Sequence, residues 1–288
     1  MKNLIKHKKS LTIFLSTLTL LTFPSSALAD TYTQAAASDG KTIICIDPGH
    51  GGGNTGTTFV YDLIRVMEKD ITLEIARALR EELLTYQNVE VVMTREADTE
   101  LGNSARMDYA REHYADYLVS VHINSSGVGV NQGKGCMAIV PVSNYQAPQA
   151  TVPDVYGTSE RMGLSVIRKL NEIGLPLSNE LEADINRGLV RRPHNLLGGA
   201  HSTVTYQDGQ VADYYGLVRR AVENGMPIVM IEHAFLDNEF EFRTYMGSPE
   251  QLHRLGYLDA VGIAEALDLQ KIPASEPEGE MPQPEQNE

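Results

Sequence analysis

Three residues of types that can bind transition metals lie at the ends of predicted strands or at the start of a predicted helix. His50 follows a short apolar run that indicates a buried strand and breaks at Asp47-Pro48-Gly49, where proline removes a backbone donor and glycine permits a sharp turn. His122 lies near the end of another apolar run, and Glu68 begins a segment with helical periodicity. Each residue alone has an ordinary structural explanation, such as a surface turn or an acid favoured by a helix dipole.

Taken together, these residues indicate a metal site. The carboxyl ends of the strands in an α/β sheet form one rim, where ligands bind, so we expect both histidines and Glu68 to lie on that rim. Two imidazoles and one carboxylate leave a divalent ion with an open coordination position, and this combination suits catalytic zinc. Such an ion lowers the pKa of its water and polarises a carbonyl group.

Hydrolysis at such a site needs a separate carboxylate that takes a proton from water and hands it to the leaving amine. Glu232 fits this role by position, because it ends the run Ile228–Ile231, which is apolar on both faces and indicates a central buried strand. The chain offers no competing arrangement. It has no G-x-S-x-G and no H-E-x-x-H motif, and neither cysteine lies in a nucleophile-like loop.

Strand-like and helix-like segments alternate along the chain, which predicts a single α/β domain with a twisted, mostly parallel sheet flanked by helices on both faces. Gly51–Thr58 is predicted to be a loop. Leu175–Thr203 has little periodicity, and a long irregular segment in a compact domain is usually functional, so we interpret it as a flap or wall of a substrate groove. The other predicted elements are Val89–Thr94, Asn103 to about Ala115, Tyr117–Ile123, Gly135–Val140, a helix capped by Thr158 or Ser159 and stopped by Gly174, about Val211–Asn224, and a helix capped by Ser248 that runs to about Leu269.

The two ends of the chain differ from the rest. Residues 1–29 have the basic start, the apolar run Leu11–Phe23 and the small-residue site Ala27-Leu28-Ala29 of a secretory signal peptide, too short for a comfortable membrane span. We expect a linker at 30–41, a catalytic domain at 42–269 and a disordered acidic tail rich in proline and glutamate at 270–288. The mature protein is therefore predicted to be secreted, with no membrane span after cleavage.

The chain is acidic, with 24 basic and 38 acidic residues and a net charge of −14. Without the four lysines of the predicted signal peptide, 20 basic residues remain and the net charge is −18. This balance argues against nucleic acid as a partner, because phosphate binding needs a basic surface. Cys45 and Cys136 lie in apolar runs, so two buried free thiols are expected, although the predicted compartment would permit a disulfide.

Several motifs resemble, in order and spacing, the zinc-dependent N-acetylmuramoyl-L-alanine amidases of the Amidase_3 type. The similarity extends from about Thr42 to Leu269. The motifs that carry it are Asp47-Pro48-Gly49-His50-Gly51-Gly52, Glu68-Lys69, Thr94-Arg95, Arg106, Ser120-Val121-His122-Ile123-Asn124 and Glu232-His233-Ala234-Phe235-Leu236-Asp237-Asn238.

The resemblance implies one zinc ion held by His50, Glu68 and His122, with Glu232 as the catalytic acid and base. It implies cleavage of peptidoglycan between the lactyl group of N-acetylmuramic acid and the first L-alanine of the stem peptide, in the cell-wall space of a bacterium. We expect Asn124 and Arg187 to contact substrate, and a regulatory protein partner is possible for this type.

Other residues of these motifs are expected to be structural. Arg95 and Arg106 are interpreted as charged anchors of the sheet rim, paired with acids. The family usually has glycine at the position of Ala234 and serine at that of Asp237, and His233 is less common there. Because alternate residues of a strand face opposite sides, His233 should point away from Glu232, with a packing role favoured over a contact with that carboxylate.

Two alternative functions stay open at this point. The same ligand set serves secreted zinc peptidases and deacetylases, which act on other amides. A non-catalytic relative that binds wall fragments would have lost a ligand or the base, whereas this chain keeps all four residues.

Overall fold

The sheet brings together strands that are far apart in the chain. The computed structural model describes residues 40–127, 133–179, 187–194 and 203–273, so the predicted signal peptide and most of the predicted linker and tail lie outside the described residues. Six strands form one sheet and two form a separate hairpin. The strands are β1 Thr42–Pro48, β2 Thr58–Tyr61, β3 Ile64–Met67, β4 Val89–Met93, β5 Tyr117–Asn124, β6 Met137–Ile139, β7 Leu189–Val190 and β8 Ile228–Phe235.

Helices connect most of these strands and follow the last one. They are α1 Glu68–Leu83, α2 Asn103–Glu112, α3 Val155–Glu172, α4 Gly216–Glu223, the short α5 Glu239–Glu241 and α6 Pro249–Ala266, with a π-helical turn at Phe242–Met246. None of the helices in the described ranges combines the length and the apolar character that crossing a bilayer requires.

The order of the six-stranded sheet is β4-β1-β5-β8-β6-β7. The first four strands are parallel, whereas β6 runs antiparallel to β8 and pairs in parallel with β7. The prediction of a mostly parallel α/β sheet is therefore confirmed. In this arrangement β1, β5 and β8 are neighbours, and all three point their carboxyl ends to the same rim.

Alternation along the strands divides the core into two layers. Ile44 and Ile46 of β1 pack with apolar residues of α1, α3 and α6 on one face, whereas Ile43 and Cys45 pack with residues of α2 and α4 on the other. Cys136 belongs to the first layer and Cys45 to the second. Both cysteines are buried and free, as the sequence predicted, and the sheet lies between them.

The predicted loop Gly51–Thr58 is followed by the β2–β3 hairpin, which the sequence did not indicate, and Thr58 is the first residue of β2. The starts of three helices were predicted wrongly. α3 begins at Val155 because Asp154 accepts a hydrogen bond from the Gly157 amide at its start. Asn103 is the first residue of α2, since Gly102 occupies the cap position. The helix predicted from about Val211 begins only at Gly216, because Val211 and Asp213 form bridges with earlier residues.

Two longer predicted segments are described only in part. Only residues 175–179, 187–194 and Thr203 of the predicted groove wall are described. The chain after α6 stays bound to the core beyond residue 269: Gln270 accepts a hydrogen bond from the Gln87 amide and the Ile272 amide donates to Thr85. The first residues of the predicted tail are therefore hydrogen-bonded to the segment between α1 and β4.

Candidate metal centre

Three possible ligand atoms converge at the rim of the sheet. Glu68 Oε1 lies 3.1 Å from His50 Nε2 and 3.1 Å from His122 Nδ1, and all three atoms lie within 4.8 Å of one another. His50 follows β1, Glu68 is the first residue of α1 and His122 lies on β5. Among the described residues this is the one group of three histidine, cysteine or acidic side chains with such spacing.

The ring of His50 is fixed by contacts on its far side. Its Nδ1 lies 3.0 Å from Asn54 Oδ1, and its backbone oxygen accepts a hydrogen bond from Arg106 Nη2 at 2.7 Å. An amide oxygen only accepts, so Nδ1 carries a hydrogen and Nε2 is the ring nitrogen that faces Glu68. With a hydrogen held on Nδ1, Nε2 donates to Glu68 when the ring is protonated and is available to a metal ion when the ring is neutral.

The carboxylate of Glu68 is buried and ionised. Burial alone would raise its pKa, but hydrogen bonds from His122 and His50 hold the pKa of Glu68 well below its usual value. Two backbone amides add to this, because Thr57 N donates to Oε2 at 2.8 Å and Ile123 N donates to Oε1 at 3.0 Å. Burial lowers the pKa of His50, but the hydrogen bond to Glu68 outweighs it and raises that pKa.

This donor set fits a zinc ion. Two imidazole nitrogens and one ionised carboxylate oxygen match the ligands of catalytic zinc, and a buried anion between two rings favours a cation. The neighbouring glycines leave room only for these side chains. A Cβ on Gly49 would lie 2.4 Å from His122 Cε1, and a Cβ on Gly56 would lie 2.4 Å from Glu68 Oε2.

A buried ion pair supports the loop that carries His50. Arg106 Nη1 lies 2.6 Å from Asp47 Oδ1, and both side chains are about 95% or more buried, with 5% and 1% exposed. Burial would raise the pKa of Asp47, but Arg106 and hydrogen bonds from Thr94 and Ser120 lower it. The prediction of a charged anchor is confirmed for Arg106.

Arg95 anchors the same loop in a different way. It is buried, and in the described contacts it donates to the backbone oxygens of Pro48, Gly49 and Lys69 at 2.8–3.0 Å, where an acid was expected. Five guanidinium hydrogens let one arginine satisfy several carbonyls of an irregular loop. The chain around His50 is therefore held from both sides.

The three possible ligands and Glu232 open into one cavity of about 440 Å³. Glu232 pairs with His122 in the β5–β8 register. Glu232 was predicted to end its strand. It lies within β8 instead, because the strand continues to Phe235. Asn124 also lines the cavity, as do residues that the sequence did not indicate: Asn54, Thr57, Leu101, Asn103, Ser125, Tyr215, Gly216, Leu217 and Met230.

Apart from Met230 of β8, these additional lining residues come from loops and helix starts without a recognisable motif. Only the tertiary fold brings Tyr215 and Leu101 to the rim. The sequence offers one indication for Leu101 and Tyr215: each lies just before the start of a helix.

The structure does not bring Arg187 to this cavity. Arg187 forms an ion pair with Glu160 of α3 and lines a separate groove with Arg161, Arg168 and Leu177. Arg187 is thus not among the residues that line the described cavity, and its contact with substrate stays a prediction. Arg187 lies beside α3, just before the edge strand β7. A short sequence motif could not predict this position relative to the cavity.

His233 lies on the opposite side of β8 from Glu232. It is fully buried, with Nε2 2.7 Å from Asp259 Oδ2 of α6 and Nδ1 3.0 Å from the backbone oxygen of His122. The predicted packing role, away from the carboxylate of Glu232, agrees with this position.

Comparison with known proteins gives a consistent result. A family model described as N-acetylmuramoyl-L-alanine amidase matches residues 44–265. The amidase CwlM of Bacillus licheniformis is 42% identical over 85 residues, which is 29% of this chain and 32% of that protein. The amidase AmiC of Escherichia coli is 37% identical over 134 residues, 44% of this chain and 31% of that protein. The matches thus span about a third of these curated relatives.

Solved structures share the fold. The catalytic domain of CwlV, an N-acetylmuramoyl-L-alanine amidase from Bacillus (Paenibacillus) polymyxa, has a TM-score of 0.56 at 23% identity, covering 80% of this chain and 99% of that one. The CwlD amidase from Clostridioides difficile, solved in complex with the GerS lipoprotein, has a TM-score of 0.57 at 21% identity, covering 79% and 99%. At these identities the likeness concerns the fold.

Proposed function

Because the chain belongs to the Amidase_3 family of N-acetylmuramoyl-L-alanine amidases, we propose that it is a zinc-dependent amidase of the bacterial cell wall. Its substrate is peptidoglycan, and it cleaves the amide between the lactyl group of N-acetylmuramic acid and L-alanine, which releases the stem peptide. The observation that carries this proposal is the convergence of His50, Glu68 and His122 in one cavity with Glu232.

The residues divide the work in the following way. His50, Glu68 and His122 would hold the zinc ion, which would supply Lewis-acid polarisation of the scissile carbonyl and of the attacking water. Glu232 accepts a proton from the attacking water as general base. It then donates the proton to the nitrogen of L-alanine, so that the amine leaves neutral as the carbon–nitrogen bond breaks.

Neighbouring residues position the substrate and the ligands. Asn124 lies at the end of β5 beside the cavity and is the proposed polar contact for the stem peptide or the lactyl group. Arg106 and Asn54 hold the backbone and the ring of His50 in place. The predicted signal peptide supports action in the wall space, and the proposal includes a regulatory protein partner, as the CwlD amidase has in its complex with the GerS lipoprotein.

Digestion of purified peptidoglycan by the mature protein tests the proposal. With stoichiometric zinc we expect free amino termini of L-alanine and peptide-free glycan by mass spectrometry, and we expect a chelator to abolish both. Shortened peptides still attached to glycan would indicate a peptidase, and loss of acetyl groups would indicate a deacetylase. Binding to the wall without any product would indicate a non-catalytic relative.

Glu232→Gln separates the chemistry from metal binding. The amide keeps the size of the side chain but cannot take up the proton, so we expect zinc content and fold to be unchanged and activity to fall about 100-fold or more. Zinc is measured by elemental analysis and activity by release of L-alanine amino groups. Full activity in this variant would show that another group is the base.

A further inference from the structure

His233 connects a proposed zinc ligand to the helical layer beneath the sheet. His233 does not line the cavity and is completely buried. Its ring nevertheless contacts the backbone of His122, because His233 Nδ1 lies 3.0 Å from the His122 carbonyl oxygen. On the other side its Nε2 lies 2.7 Å from Asp259, which is also completely buried. The ring therefore lies between β5 and α6.

The contact with His122 occurs where the β5–β8 ladder is irregular. His122 pairs with Glu232 but Asn124 pairs with Phe235, so the register shifts between these two positions. A bulge of this kind locally interrupts the ladder and lets the strand re-aim its side chains. At this interruption the carbonyl of His122 has the ring of His233 as a hydrogen-bond donor.

The chemistry of the groups fixes the orientation of this ring. A carbonyl oxygen only accepts, so Nδ1 of His233 must carry a hydrogen. One further proton is then shared between Nε2 and the carboxylate of Asp259, whichever of the two groups holds it. Both ring nitrogens are thus engaged, and rotation of the ring would break two buried hydrogen bonds.

Asp259 is itself held by close helix packing. A Cβ on Gly256 would lie 2.3 Å from the Ile75 carbonyl of α1, and a Cβ on Gly262 would lie 2.7 Å from Val166 Cα of α3. These glycines bring α6 into tight contact with both neighbouring helices on either side of Asp259. The carboxylate is consequently fixed relative to the sheet.

We infer that His233, oriented by Asp259, is a positioning residue for the amidase reaction. It fixes the backbone of His122 at the bulge, and with it the imidazole that binds zinc and the adjoining Glu232 on β8. This role rests on the proposed function, because it acts through His122 and Glu232. It differs from packing alone in that it requires one hydrogen bond, from position 233 to the carbonyl of His122.

Two double variants isolate that hydrogen bond. Both replace Asp259 with leucine, so the buried ionic contact is removed in each. In H233N/D259L the asparagine amide can still donate to the His122 carbonyl, whereas H233L/D259L has no donor there. We measure zinc affinity by competition with a chelator, and kcat and KM at saturating zinc.

We expect H233L/D259L to bind zinc about tenfold more weakly or worse, in the range seen when groups that orient metal ligands are removed. We expect its kcat to fall about 100-fold with KM little changed, as for a small misplacement of catalytic groups. H233N/D259L should recover most of both losses. Equal values in the two variants, whether both normal or both low, would overturn the inference.

A stability control separates positioning from destabilisation. Leu258→Ala truncates a core residue beside Asp259 on α6, so it should lower the unfolding midpoint without changing zinc affinity or kcat at 25 °C.

If the double variants do not fold, the single variants D259N and D259A replace them. A carboxamide can donate to Nε2 of His233 and keep the ring oriented, so D259N should retain more zinc affinity than D259A, and equal affinities would refute the role.

The outcome can be distinguished from failure of the proposed function. Zinc affinity is measured without any wall substrate, so it tests the link from His233 to His122 even if peptidoglycan is not cleaved. Conversely, an active wild-type protein with an inactive Glu232→Gln variant supports the amidase whatever the double variants show.

Discussion

Gly49 illustrates how a residue without a functional group determines the site. Its position is packed against the ring of His122, and a Cβ there would lie 2.4 Å from Cε1. We expect Gly49→Ala to displace that ring, to weaken zinc binding about tenfold or more and to lower activity in parallel, while the domain still folds. Zinc affinity by chelator competition and circular dichroism check the two parts.

Gly102→Ala is the matched control, because nothing lies within 4 Å of a Cβ at that position. It should change helix capping by less than about 1 kcal/mol and leave zinc affinity intact. If Gly49→Ala binds zinc like Gly102→Ala, the close packing around His122 does not govern the ligand geometry.

Residue types and local position indicated His50, Glu68, His122 and Glu232 before any fold was available. This was possible because each adjoins a recognisable apolar strand or a helix start, and such ends meet on one rim. Arg187 had no comparable signal, and its ion pair with Glu160 depends on tertiary contacts. The pairing of His233 with Asp259 was equally inaccessible, since it joins a strand to the last helix.

The β2–β3 hairpin is the element that the sequence concealed. Its turn consists of Asp62 and Leu63, both with positive φ values of 51° and 67°, where asparagine and glycine are usual. Leu63 is 98% exposed, so its side chain gains nothing from packing. The residues at this turn therefore oppose the conformation that the pairing of Thr58–Tyr61 with Ile64–Met67 imposes.

Replacing Leu63 with glycine should relieve this conflict. We expect Leu63→Gly to raise the free energy of unfolding by roughly 0.5–1 kcal/mol, since a left-handed conformation costs a side-chain-bearing residue about 1–2 kcal/mol and glycine loses part of the gain to chain entropy. Urea unfolding measures the change. Leu84→Gly serves as control, because Leu84 is also exposed but has a φ of −68°, and there glycine should destabilise.

The connection before α4 is predicted to respond to pH. Asp213 is buried, accepts hydrogen bonds from the Val142 amide and from Tyr206, and burial raises its pKa to about 6. The folded state therefore binds this proton more tightly than the unfolded chain, so its stabilising contribution is complete below about pH 4 and is lost as the pH rises through 6.

Asp213→Asn removes this dependence. Between pH 5 and pH 7.5 we expect the variant to gain about 1–1.5 kcal/mol of stability relative to the wild type, from the difference between a pKa of about 6 and the unfolded value. Urea titrations of both proteins at the two pH values give the comparison. A stability difference that is the same at pH 5 and pH 7.5 would mean that Asp213 does not titrate in this range.

Element boundaries failed where long-range contacts outweighed local pattern. The strand was predicted to end at Glu232, the first polar residue after the apolar run Ile228–Ile231. It continues to Phe235, since Glu232 faces the cavity while His233 is paired inside the core. Similarly, Val211 to Tyr215 has helical composition but forms bridges to other segments. The alternation of strand-like and helix-like segments was sufficient to predict the fold class. It did not reveal the long-range contacts that determine where these elements begin and end.

At the scale of the whole molecule, the proposed zinc ligands are joined only by the folded sheet. His50 lies in the loop after β1, Glu68 begins α1 and His122 lies on β5, and the ligand atoms converge because these parts of the chain pack together. The unfolded chain offers no such group of preformed ligands. Zinc should therefore bind the folded state almost exclusively and stabilise it by mass action.

This linkage gives a prediction for thermal unfolding. At free zinc 1,000-fold above Kd the stabilisation is about 4 kcal/mol, which for a domain of this size corresponds to roughly 8–16 °C in the unfolding midpoint. We expect zinc to raise the midpoint of the wild type by this amount and a chelator to reverse it. His122→Ala should abolish the shift, whereas His253→Ala, an exposed histidine on α6 away from the site, should retain it. A wild-type midpoint that does not respond to zinc would contradict the ligand set, because a cation held by residues of three separate elements must couple to the folding of all of them.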